Sequence, residues 1–104
     1  MPAARRVTWA PAARRDLREA WRYYAGVASP DIADGVLREI GRAADRVGGN
    51  PLAGRRRDEL LPGLRSVLAH PYAIFYRVRN DDVEIARVLH ERRDFSAALS
   101  KDQR

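Results

Sequence analysis

Tyr72-Ala73-Ile74-Phe75-Tyr76-Arg77-Val78-Arg79, Asn80-Asp81-Asp82 and Val83-Glu84-Ile85-Ala86-Arg87-Val88-Leu89-His90 form the stretch on which the fold turns. Tyr72, Ile74, Tyr76 and Val78 recur at a period of two, which puts them on one face of a strand. Val83, Ile85 and Leu89 repeat the pattern in the second segment. Asn80-Asp81-Asp82 between them is turn chemistry, because short polar side chains bond to their own backbone and tolerate unusual dihedrals. The expectation is a β-hairpin.

Upstream, Leu64 to Ala69 reads as a third strand, stopped by His70-Pro71. Before it lies a polar loop from Leu52 to Pro62, in which Arg55-Arg56-Arg57 reads as a solvated run. Downstream, the hairpin leaves through a charged exit, His90-Glu91-Arg92-Arg93-Asp94-Phe95, and residues Phe95 to Leu99 can make a last short helix.

The first half is helical. Arg6 to Trp9 is a short entry strand, and Pro11 suits a first helical turn, where its missing N–H is not needed. Ala13, Leu17, Ala20, Trp21 and Tyr24 then form one apolar face, with Arg14, Arg15, Arg18, Glu19 and Arg22 opposite. Ala10 is a poor N-cap. Gly26-Val27-Ala28 breaks this helix, and Ser29-Pro30-Asp31 starts the next with a cap, a first-turn proline and a carboxylate at the positive end. Ala33, Val36, Leu37, Ile40, Ala44 and Val47 mark the second apolar face, which Gly48-Gly49-Asn50-Pro51 ends. The order β-α-α-β-β-β, with short connections, implies an antiparallel meander covered by a helical hairpin. The fold class is α+β, a two-layer domain on a mainly antiparallel sheet.

At 104 residues the chain reads as a single domain, 1–104, able to bury roughly 60–70% of its unfolded surface. It has no cysteine, which excludes disulfides and thiolate zinc sites. No apolar run is long enough to span a membrane. Met1-Pro2-Ala3-Ala4-Arg5-Arg6 lacks the apolar core of a signal peptide, so the expected location is cytoplasmic. The formal charge is +6, and Lys101 is the only lysine among 20 basic residues. A surface so rich in arginine suits nucleic acid or an acidic protein segment.

Trp9-Ala10-Pro11-Ala12-Ala13, Asp16-Leu17, Tyr23-Tyr24, Ser29-Pro30 and Ala33 resemble the N-terminal half of ParE-type toxins. Asn50-Pro51, Gly54-Arg55, Glu59-Leu60, Pro62 to Ser66, Pro71 to Val78 and Ile85 to Asp94 resemble the C-terminal half. The likeness runs over residues 6 to 95 and is more specific in the second half. It implies the RelE/ParE toxin fold in a bacterial toxin–antitoxin system. It also implies a ParD-like antitoxin as partner, with operator DNA met only through that antitoxin. Two activities occur in this superfamily: ParE-like members poison DNA gyrase, and RelE-like members cut messenger RNA on the ribosome.

Metal-free RNA cleavage by attack of the 2′-OH needs a base, a cation for the developing phosphorane and an acid for the leaving oxygen. The resemblance places the RelE-type chemical positions at Ala73, near Arg92 and near Ala97. Two of the three are methyl groups, and no tyrosine follows Tyr76. The expectation is therefore a gyrase inhibitor that acts by binding, with no catalytic residue, cofactor or metal. The alternative is a degenerate ribosome-dependent endonuclease using Arg92 with Tyr72, His70 or His90.

Arg92, Arg93 and Phe95 are the expected target-binding residues, against a simpler reading in which Asp94 pairs with an arginine and Phe95 fills the core. Arg65, Arg77 and Arg87, on successive strands, and Trp21 on the first helix are the expected antitoxin-binding residues. The three arginines either form a basic stripe on one sheet face or lie with their stems along it. His70 and His90 read as a loop histidine before proline and a strand-end histidine held by hydrogen bonds.

Overall fold

A computed structural model describes residues 5–101 and runs β1 (Val7–Trp9), α1 (Pro11–Val27), α2 (Pro30–Gly49), β2 (Arg55–Arg56), β3 (Arg65–Ala69), β4 (Tyr72–Arg79), β5 (Asp82–His90) and α3 (Phe95–Lys101). The reading of Met1 to Ala4 as lacking a leader falls outside the described residues. The expected α+β order is present, with β2 added inside the polar loop. The five strands form one sheet in the order β1-β5-β4-β3-β2. The β3-β4-β5 meander is antiparallel, and β1 closes the far edge parallel to β5.

Helix boundaries follow local chemistry. Ser29 accepts a bond from the Ile32 N–H at 3.1 Å, so the serine caps α2. No side chain caps α1, as Ala10 foretold. The interruption is shorter than expected: Gly26 and Val27 stay helical, and only Ala28 and Ser29 separate the helices. Gly48 and Gly49 also stay helical. Gly48 is buried where β1 crosses α2, and a Cβ there would come within 2.9 Å of Val7 and 3.1 Å of the Arg5 carbonyl. It therefore serves close packing, and α2 ends after Gly49, with Asn50 as its C-cap.

The sheet is covered on both faces. Against the helical hairpin, Ala13, Ala20, Ile40, Ala43, Ala44 and Val47 pack on Tyr72, Ile74, Tyr76, Val83, Ile85 and Val88. On the other face, Ala73, Phe75, Ala86 and Leu89 pack under Leu64 and the Ala98 and Leu99 pair of α3. The pleat divides the side chains between the two faces, and a bulge shifts that division along β5. The register pairs Phe75 with Arg87 but Tyr76 with Ile85, leaving Ala86 as an extra residue. The expected common face for Val83, Ile85 and Leu89 is corrected accordingly: past the bulge the alternation is offset, Val88 joins the first core and Leu89 the second.

Candidate functional site

Two regions carry the candidate residues: the exit from β5 and the outer side of the hairpin. The first is built beside a buried ion pair. Asp16, on the apolar side of α1, is 6% exposed. Its carboxylate accepts bonds from Arg87 Nε at 2.8 Å, Arg87 Nη2 at 3.0 Å and the Val88 N–H at 2.9 Å. Arg87 also donates to the Ala98 carbonyl of α3 at 3.1 Å. The last backbone bond from the β1 end to β5 is Ala10 N–H to the Ile85 carbonyl, at 2.9 Å. Beyond that point Asp16 satisfies an amide of β5 that the short β1 does not reach. One carboxylate thus joins α1 to β5, and through Arg87 to α3.

Of the two readings of Arg65, Arg77 and Arg87, this geometry does not give the single basic stripe. Arg87 is 9% exposed and engaged inside the molecule. Arg65 sits opposite Tyr76 and so shares its face, whereas Arg77 is the next residue along and points to the other face. Arg65 donates to the Leu52 and Gly54 carbonyls at 3.1 and 2.9 Å, and Arg77 donates to Glu84 at 3.1 Å. The three arginines belong to three separate local networks.

At the exit, Arg92 and Arg93 are exposed, and Phe95 is half-buried against the second core. Phe75 and Phe95 meet edge to face at 4.9 Å, with the Arg57 guanidinium 5.5 and 5.6 Å from their ring centroids. Arg57 also bonds Glu59 at 2.8 Å and Ser66 at 3.2 Å, so it is a clamp and departs from the solvated reading of Arg55-Arg56-Arg57. Asp94 caps α3 by accepting from the Ala97 N–H at 3.1 Å, where the simpler reading had paired it with an arginine.

Beside the exit, Asp16, Glu19, Ala20, Tyr72, Val88, His90 and Arg93 line a cleft of about 140 Å³. His90 accepts from the Arg92 N–H at 3.2 Å and lies edge-on to Tyr72 at 5.6 Å. His70 stands 3.3 Å from Glu91 across the His70-Pro71 turn. Burial, with Tyr24 and Tyr23 nearby, pushes the Tyr72 phenol up to about 12, so it holds its proton at neutral pH. Ala73 is 1% exposed inside the second core, and Ala97 is exposed on α3. Among the described residues no group of three or more His, Cys, Asp or Glu is placed to hold a metal ion, and no helix is long and apolar enough to cross a membrane.

On the hairpin, Trp21 Nε1 donates to Asp34 of α2 at 2.8 Å. With Leu17, Arg18, Arg22 and Leu37 it lines a mostly apolar groove of about 320 Å³. The structure therefore keeps Trp21 in a surface groove and brings Arg92 and Arg93 together at the exit. Sequence reading missed Asp16 as an anchor. The signal was there: it lies three residues after Ala13 and four before Ala20, a carboxylate on the buried side of an amphipathic helix.

The chain matches, over residues 7–95, the family described as ParE toxin of type II toxin-antitoxin system, parDE. It is 39% identical over 90 residues to Toxin ParE1 of Mycobacterium tuberculosis, spanning 86% of this chain and 92% of that one. It is 36% identical over 70 residues to Toxin ParE3 of Caulobacter vibrioides, spanning 67% and 70% respectively. In shape it resembles a chain from a chromosomal ParDE TA system of P. aeruginosa, with a TM-score of 0.74 and 20% identity, over 84% of this chain and 96% of that chain.

Proposed function

The chain belongs to the ParE toxin family of type II toxin–antitoxin systems, and on that premise we propose that it inhibits DNA gyrase by binding and is neutralised by a ParD-like antitoxin. The observation that carries the reading is the filling of the RelE-type chemical positions. Ala73 has neither charge nor proton to offer and is sealed in a core, and the resemblance calls for a phenol near Ala97, where no tyrosine follows Tyr76. What remains is an exposed pair of guanidinium groups, Arg92 and Arg93, suited to docking on acidic or phosphate groups. We assign these two to the target, with Phe95 holding α3 beneath them. The groove at Trp21 suits an amphipathic antitoxin segment, and Arg65 and Arg77 remain candidates for the same partner. Arg87 leaves the set because its guanidinium is committed to Asp16. The protein acts in the cytoplasm, where gyrase is found.

Purified chain added to gyrase and relaxed plasmid is expected to stop supercoiling or to leave cleaved DNA, and prior addition of the antitoxin is expected to restore activity. Undiminished supercoiling with excess folded chain would overturn the reading. The endonuclease alternative draws on the cleft that brings Tyr72, His90 and Arg93 together. Against it, burial pushes the Tyr72 phenol pKa up to about 12, so the hydroxyl keeps its proton at neutral pH and is poorly suited to the role of base. Transcripts cut in a translating extract, with cutting lost in Arg92→Ala, would favour that alternative.

A further inference from the structure

The two helices of the hairpin carry very different exposed charge. On α1, positions 14, 15, 18 and 22 are all exposed arginines, and Glu19 is the one exposed carboxylate. On α2, Arg38, Arg42 and Arg46 alternate with Asp31, Asp34, Glu39 and Asp45, all exposed, and Arg42 is paired with Glu39. None of the four α1 arginines forms an ion pair among the described residues. Arg14, Arg18 and Arg22 recur every fourth residue, on the side of α1 away from buried Ala13 and Ala20, and Arg15 lies beside them. At a rise of about 1.5 Å per residue they make a ridge roughly 12 Å long.

We infer that this ridge, Arg14-Arg15-Arg18-Arg22, binds the sugar–phosphate backbone of duplex DNA directly. Guanidinium groups match phosphate oxygens in a planar fork, and a row of them at this spacing can follow consecutive phosphates. Backbone contact is the mode that fits, because the crest carries no aromatic platform on which single-stranded bases could stack. Tyr23, although 60% exposed, projects off the Arg14-Arg18-Arg22 row and lies edge-on to Tyr24 at 5.1 Å, and the Trp21 ring is half-buried with its N–H on Asp34. An acidic peptide in the neighbouring groove would meet Arg18 and Arg22 but not Arg14 or Arg15, which do not line it. The ridge extends past the groove, so its full length answers to a longer anionic partner. This inference stands independently of gyrase as target, and it departs from the expectation that DNA is met only through the antitoxin.

The test is fluorescence anisotropy of the purified chain on a roughly 20-bp duplex of arbitrary sequence, repeated over a salt series. Four phosphate contacts give a log–log salt slope of about −3.6. R14Q/R15Q is expected to reduce that slope by about half and to weaken binding about tenfold at low salt. R38Q/R42Q removes the same net charge from α2 and is expected to keep most of the slope. Both pairs lie on exposed helix surface and glutamine is a good helix former, so both variants are expected to melt near the parent temperature. Equal losses in the two variants would show diffuse attraction and overturn the inference. So would absence of duplex binding at low salt in a chain that binds a polyglutamate peptide.

Discussion

Asp16 and Arg87 decide more than their exposure suggests. Burying a carboxylate against a guanidinium is costly by itself, and the pair is tolerable because the side-chain partners and the Val88 amide answer one another. Removing one member leaves the other charged and dry. Asp16→Ala is expected to lower stability by about 3–5 kcal/mol in urea denaturation, and Asp16→Ala with Arg87→Met by much less than the sum of the two singles. A loss below about 1 kcal/mol for the single change would mean that water reaches Arg87 freely. Tyr72 makes a second test, through pH. Its phenol is pushed from 10.0 to about 12, chiefly by burial. The native chain therefore holds this proton to higher pH than the unfolded chain. The associated stability is intact below pH 10 and declines between 10 and about 12. Tyr72→Phe is expected to lose less stability than the parent across that interval. Tyr76, whose acidity is also weakened by burial, accounts for part of the remaining drop.

Among the elements, α3 is the one held least firmly. It is seven residues long and rests on Phe95, Ala98 and Leu99, with Asp94 as cap and the Arg87 bond to the Ala98 carbonyl beneath. Short helices depend on packing, since nucleation is unfavourable. Amides of α3 are expected to exchange hydrogen at a lower opening free energy than those of β4 and β5. Phe95→Ala removes the ring from Phe75 and Arg57, and is expected to cost about 2 kcal/mol and to abolish α3 protection while β4 keeps its own. Joint loss of protection in α3 and β4 would mean that the second core opens as one unit.

The elements also divide by how legible they were. Ser29-Pro30 announced α2 because capping is a local reaction between a side chain and the next backbone turn. The hairpin was legible because alternation and turn chemistry are local as well. β2 was not legible: Arg55 and Arg56 have no apolar alternation, and they pair only because β3 lies beside them. Nor was the bulge at Ala86, since an extra residue leaves no mark in an already apolar run. The clamp at Arg57 and the Asp16 joint each required knowing which element packs on which.

At the scale of the whole molecule, one sheet separates two cores, and the β5 exit and the β2 loop lie at its rim. Gly54 shows how tightly the rim is seated. Its N–H donates to the Tyr76 hydroxyl at 2.9 Å, that hydroxyl donates to the Pro51 carbonyl at 2.7 Å, and a Cβ at Gly54 would overlap the phenol oxygen. The loop leading to β2 is thereby pinned from beneath by the central strand. β2 itself is only two residues long, and both are exposed arginines. An unpaired strand border is a template on which identical chains can stack without limit. Here the template is a ledge of two arginines, one of them paired with Asp58 at 2.9 Å, so a second molecule finds little to zip onto. At this border, crowded copies of the protein have little to stack upon, a safeguard built into the smallest strand of the fold.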